Sequence, residues 1–153
     1  MNAAARQIVA ALKLEPLPRE GGFFRATWRN ETASTILFLL TPEAFSAWHR
    51  LGQDEVWHFH AGDPVEHLQI DPRNGTLHPT RLGVDPVSGD SPQAVVPAGT
   101  WQGARLAANR HGFALLGCTV SPPWDEKGFE LGGRDTLAAE FSAHREIIRA
   151  LTR

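Results

Sequence analysis

The sequence predicts an all-β protein: one compact barrel or sandwich with a helix at each end. Three features predict this. Short runs rich in Val, Ile, Phe, Trp and Thr follow one another from residue 23 to residue 120. Turn clusters such as AGDP, DPRNG and DPVSGD separate them, and helical periodicity is confined to the termini.

Each element has a local reason. Asn2 can cap a helix over 3–13, whose Ile8, Val9, Leu12 and Leu14 form a rough apolar stripe. EPLPREGG at 15–22 stops it with two prolines and two glycines. Candidate strands follow at 23–29 (FFRATWR), 34–40 (STILFLL), 45–50 (FSAWHR), 55–60 (EVWHFH) and 65–71 (VEHLQID). Further strands are expected at 76–82 (TLHPTRL), 93–97 (QAVVP), 101–106 (WQGARL) and 112–120 (GFALLGCTV). The tail TLAAEFSAHREIIRALTR sets Leu137, Phe141, Ile148 and Leu151 on one helical face, with Asp135 as its cap. No repeat, linker or composition break divides residues 1–153, so a single domain is expected.

Composition narrows the function classes. The hydrophobic share is 42%, the charged share 21% and the formal net charge −2, so no basic field exists to hold nucleic acid or an anionic membrane. The longest apolar run, ILFLL, has the length of a strand rather than a membrane span. MNAAARQIVAALKLEP lacks the basic start and long apolar centre of a signal peptide. Cys118 stands alone in FALLGCTV, which excludes an internal disulfide and suits a reducing compartment, so a cytoplasmic protein is expected. The thiol itself reads as a small core residue.

Residues 46–62, SAWHRLGQDEVWHFHAG, hold the most informative side chains. Alternation puts Glu55, Trp57 and Phe59 on one face of a strand and Val56, His58 and His60 on the other. The aromatics mark the first face as buried, and a glutamate there is costly unless protonated, paired or ligating a metal. On the preceding strand Phe45, Ala47 and His49 share one face, and Ser46, Trp48 and Arg50 the other. A reversal through LGQD would let His49 and Glu55 meet across a hairpin. Such a pair serves as metal ligands, as a general acid–base dyad, or as a buried ion pair without chemistry. His58 and His60 are expected in packing or a subunit contact, and His67, His78, His111 and His144 at the surface.

Glu55 to Gly62, with PAG at 97–99, resembles the paired motifs of the cupin superfamily. EGGFFRATWR at 20–29, residues 38–64, QAVVPAGTWQGARL at 93–106, GCTVSPPWD at 117–125 and FELGGRDTLAAEF at 129–141 resemble, more narrowly, the uncharacterised cupin family DUF985. The resemblance implies a double-stranded β-helix (jelly-roll) barrel and a homodimer. Metal cupins draw two histidines and a glutamate from the first motif and a histidine from the second. Carried over, His49 and Glu55 remain, while Leu51 and Gln102 occupy the other ligand positions. No metal cofactor is therefore expected; a transition metal, if held, would rest on His49, Glu55 and Gln102.

AWHR at 47–50 is similar in placement to the histidine motif of deoxysugar-nucleotide 3,5-epimerases, metal-independent cupins in which a histidine removes a proton next to a ketone. In that comparison Arg25 and Arg29, four apart and expected on one strand face, would clamp a phosphate or carboxylate; solvated edge charges are the alternative. The epimerase tyrosine has no counterpart, because the chain contains no tyrosine. The expected function is a metal-independent acid–base site of isomerase, epimerase or lyase type for a sugar- or nucleotide-like small molecule. His49 would be the base, Glu55 its orienter or the proton donor, and Gln102 a donor to a substrate oxygen. Trp57, Phe59 and Trp101 would wall the pocket. A non-catalytic sugar- or nucleotide-binding module and a metal-dependent cupin enzyme are the alternatives.

Overall fold

A computed structural model describes residues 1–153. Helix α1 (Ala3–Leu12) starts at Asn2, whose side chain accepts from the Ala5 N–H, and ends at Lys13 with φ +53°. The strands are β1 (Glu15–Pro16), β2 (Phe23–Arg29), β3 (Ser34–Leu40), β4 (Ser46–Leu51), β5 (Asp54–Gly62), β6 (Val65–Ile70), β7 (Leu77–Leu82), β8 (Gln93–Val96), β9 (Trp101–Leu106), β10 (Ala114–Ser121) and β11 (Phe129–Leu131). They form two antiparallel sheets, ordered β1-β2-β3-β10-β5-β8 and β11-β4-β9-β6-β7. The two sheets face each other as a jelly-roll sandwich.

Two apolar cores result. Phe38, Leu40, Trp57, Val65, Leu82 and Leu116 fill the space between the sheets. Trp48, Leu68, Ile70 and Trp101 point out of the five-stranded sheet and pack against Leu137, Phe141, Ile148 and Leu151 of the C-terminal segment. Strands β4, β6 and β9 are thus covered on both faces, one by the other sheet and one by helices.

The tail departs from the single helix expected of it. It forms α2 (Arg134–Glu140) and α3 (Arg145–Ala150), joined by a 3-10 turn at Ser142–His144. Phe141, at φ −113° and ψ +60°, leaves helical geometry while keeping its ring in the core. The break lets the apolar residues of both halves reach the sheet. Gly133 occupies the cap position, and Asp135 sits in the first turn.

The LGQD segment is also not a hairpin. β4 and β5 belong to different sheets, so residues 51–54 cross from one layer to the other. Short β1 and β11 were not anticipated; β11 extends the five-stranded sheet by pairing Leu131 with His49 and Phe129 with Leu51. The fully buried Asp63 carboxylate anchors the β9–β10 connection by accepting from the backbone N–H groups of Arg110, His111 and Gly112 at 2.9, 2.9 and 2.7 Å. Burial alone would raise its pKa; these donors outweigh that and hold it below the ordinary value.

Candidate functional site

His49 on β4, Glu55 on β5, Gln102 on β9 and His67 on β6 all project into the space between the sheets, at 2%, 6%, 0% and 0% exposure. Their sheets are opposed, so His49 and Glu55 approach across the sandwich rather than along a ladder.

Gln102 organises the interior. Its Oε1 accepts from Trp57 Nε1 at 3.0 Å, and its Nε2 donates to Glu55 Oε2 at 2.6 Å. An indole nitrogen only donates, so the carboxamide oxygen must face Trp57 and the nitrogen must face Glu55. His67 Nε2 lies 3.2 Å from the same oxygen and therefore carries the hydrogen. That leaves His67 Nδ1 as a buried lone pair without a partner. Burial, with His49 nearby, depresses the His67 imidazole to about 4 despite its bond to Gln102, so it is a neutral core residue at neutral pH.

The His49 tautomer follows from the same logic. Nδ1 sits 2.8 Å from the Ala47 carbonyl oxygen, which can only accept, so Nδ1 carries the hydrogen. In the neutral ring Nε2 is then a free base. It faces Glu20 Oε2 at 3.8 Å, too long for a hydrogen bond but within ion-pair range. Phe129 stacks on the imidazole with centroids 5.6 Å apart and planes 20° from parallel, fixing the ring's orientation.

Burial pushes the Glu55 carboxyl above its ordinary pKa, and the Glu20 charge pushes it the same way; His49, the hydrogen bond from Gln102 and the nearby Trp57 N–H dipole oppose the shift without cancelling it. Glu20 itself is 12% exposed and accepts from Ser46 Oγ at 2.8 Å. It marks the side on which the cluster comes nearest to solvent. Two surface grooves, of about 850 Å³ beside Arg81 and Arg105 and about 440 Å³ beside Asp71 and His78, open elsewhere.

The other sequence-derived candidates divide. Trp57 is buried and Phe59 half-buried, both in the inter-sheet core. Trp101 does not join them. It neighbours Gln102 on β9, so alternation turns it outward under the C-terminal helices, with the Arg50 guanidinium 4.6 Å from its ring centre. Arg25 and Arg29 do not share a face: a bulge between Ala26 and Trp28 pairs Arg25 with Leu37 and Arg29 with Ser34, an odd offset on β3. Both are exposed, and Arg29 donates to the Trp124 carbonyl.

Gln102 is not free to donate to a substrate oxygen, being buried between Glu55, Trp57 and His67. His67, expected at the surface, is fully buried. Its parity with Val65 was the available signal, masked by Leu68 and Ile70 on the other, equally buried face. Glu20 lies in a loop without periodicity, and nothing in its spacing pointed inward. Cys118 is a buried free thiol, raised well above its ordinary pKa by burial and by the Glu55 and Glu20 charges.

These donors do not fit the metal centre of a metal cupin. Leu51 offers no donor, the Gln102 oxygen already accepts from Trp57 and His67, and nowhere do three His, Cys, Asp or Glu side chains converge as metal ligands.

Comparisons with known proteins agree with this architecture. An X-ray structure of a Shewanella oneidensis protein is 37% identical with a TM-score of 0.90, covering 100% of this chain and 98% of that one. A hypothetical protein from Leishmania major is 31% identical with a TM-score of 0.89, covering 97% and 98%. A dTDP sugar isomerase from Desulfovibrio desulfuricans G20 shares the fold at 17% identity and a TM-score of 0.59, covering 81% and 83%. No protein of curated function matches in sequence. The family model described as Cupin superfamily (DUF985) matches residues 6–132, and the chain belongs to that family.

Proposed function

We propose that this cupin is a metal-independent acid–base enzyme of isomerase, epimerase or lyase type. The observation that carries the reading is the hydrogen bond from His49 Nδ1 to the Ala47 carbonyl, which leaves Nε2 as the unprotonated nitrogen of the neutral ring, facing the Glu20 carboxylate. His49 Nε2 takes the proton from a carbon next to a carbonyl, and the C–H electron pair moves into the carbonyl to form an enol. Glu55, whose carboxyl burial shifts toward the protonated form, gives its proton to the developing oxyanion. Reprotonation at carbon completes an isomerisation or epimerisation; expulsion of a β-substituent completes a lyase reaction.

The lining favours neutral or cationic ligands. Glu20 and Glu55 line the cluster, and no Lys or Arg side chain is buried in the protein. A sugar-like ring fits this chemistry, and any phosphate would lie outside the sandwich. Access requires the Glu20 side to open. A cytoplasmic homodimer paired through β2, where Trp28 is 51% exposed, accompanies the reading and is tested by solution mass.

The test is solvent hydrogen exchange. The protein is incubated in D₂O with a panel of keto-sugars, and the signal of the proton next to the carbonyl is followed by NMR. Wild type is expected to wash out that signal for at least one ketose, with His49→Gln and Glu55→Gln inactive. No washout from any ketose, or washout that survives His49→Gln, overturns the proposal; ligand stabilisation unchanged in His49→Gln would identify a binding module instead.

A further inference from the structure

We propose that Arg153, remote in sequence and outside the cluster, is a positioning residue for Glu20 and through it for the His49 base; the inference rests on the acid–base reading above. Glu20 hangs from a tight loop. Leu17 N–H donates to Gly22 O at 3.0 Å and Gly21 N–H donates to Leu17 O at 3.1 Å. Within it Arg19, Gly21 and Gly22 all have positive φ, at +66°, +100° and +75°. Arg19 is not glycine, and a side chain in that region is strained and persists only where the surroundings impose it. The surroundings do.

Arg153 Nη1 donates to Glu20 O at 2.7 Å and to Arg19 O at 3.3 Å, while Nη2 donates to Phe45 O at 3.1 Å. The guanidinium also lies 4.4 Å from the Phe45 ring centre. One planar, five-donor group thus ties the loop's carbonyls to the chain entering β4. Gly21 makes the approach possible: a Cβ there would meet Arg153 Nη2 at 2.3 Å and Phe45 O at 2.4 Å.

The tie is aimed at the site. Glu20 O also accepts from Ala47 N–H at 2.9 Å, and Ala47 O accepts the His49 Nδ1 hydrogen. Ala47 therefore fixes both the base and the backbone of the residue facing it. Arg153 closes the far side of that arrangement. Without it the loop keeps the Ala47 bond but loses every other bond from outside the loop to its Arg19 and Glu20 carbonyls, and the Glu20 carboxylate moves relative to His49 Nε2.

The experiment labels histidine with ¹⁵N and compares the His49 Nε2 resonance at one pH in wild type, Glu20→Gln, Arg153→Ala and Arg153→Lys. Arg153→Ala is expected to displace the resonance in the direction of Glu20→Gln and by most of its amount. Arg153→Lys should restore part of the shift, and the buried His67 resonance should stay in place, which a general rearrangement of the interior would not allow. A wild-type His49 resonance in Arg153→Ala, with a displaced one in Glu20→Gln, overturns the positioning role. A His49 signal indifferent to Glu20→Gln overturns it as well. Neither result touches the acid–base reading, which falls on hydrogen exchange instead.

Discussion

Replacing Gln102 by leucine probes the interior most sharply, because the carboxamide is the shared partner of three buried groups. The substitution strips Trp57 Nε1–H, His67 Nε2–H and Glu55 Oε2 of bonds of 3.0, 3.2 and 2.6 Å. None can readily turn to water, since Glu55, Trp57 and His67 are exposed by only 6%, 1% and 0%. An unsatisfied buried polar group costs about 1–3 kcal/mol, and the three losses overlap because they share one residue. Burying the leucine methyls returns about 1–2 kcal/mol. The net expectation is a loss of about 2–5 kcal/mol, a large part of the roughly 5–15 kcal/mol that holds a domain of this size together. Urea unfolding followed by tryptophan fluorescence measures it. Gln102→Glu serves as the companion: it keeps an acceptor for Trp57 and His67 but sets a second carboxyl against Glu55. Its deficit should therefore shrink at acid pH, where the second carboxyl is protonated as well. A Gln102→Leu loss below about 1 kcal/mol, the value of one ordinary hydrogen bond, would refute the shared-partner arrangement.

Other outcomes follow from the same geometry. The His67 pKa falls from 6.5 to about 4 on folding, so the unfolded chain binds the proton more readily between those values. The neutral ring's contribution is complete above pH 6.5 and is lost as pH falls toward 4; His67→Leu should flatten the stability–pH slope in that window, and an unchanged slope would contradict the assignment. Asp63 has a folded pKa lowered from 3.8, so its contribution is present above that value and lost in stronger acid. Asp63→Asn should cost about 1.5–3 kcal/mol at neutral pH and progressively less as pH drops, read from urea midpoints. Protein purified without chelator should contain no stoichiometric transition metal by elemental analysis, and EDTA should leave its melting temperature unchanged; a bound metal removed with loss of stability would overturn the metal-independent reading.

Much of the architecture was legible because the contrast between strand faces is strong where it matters. In EVWHFH the aromatics on one parity and histidines on the other placed Glu55 and Trp57 inside, and the structure leaves His58 on the outer face between Thr119 and Gln93. The contrast fails where both faces are covered. On β6, Val65 and His67 point between the sheets while Leu68 and Ile70 point under the helices, so hydrophobicity cannot say which parity is interior.

Trp101 and Gln102 illustrate a different limit. Both look like pocket residues, yet neighbours on a strand cannot share a face. Arg25 and Arg29 were separated by a bulge, an extra residue that spacing arguments assume away. Glu20 depended on the fold itself. Its position beside His49 comes from a left-handed loop held by residues more than a hundred positions downstream, a contact that no local pattern encodes.

The central claim is that a neutral carboxylic acid stands near a basic imidazole in a dry interior. The direct measurement is a ¹³C titration of the Glu55 side-chain carboxyl, identified by its loss in Glu55→Gln. The account predicts that this carboxyl titrates above the ordinary glutamate value of 4.5. A Glu55 that ionises at or below that value would leave no proton donor in the cluster and contradict the mechanism.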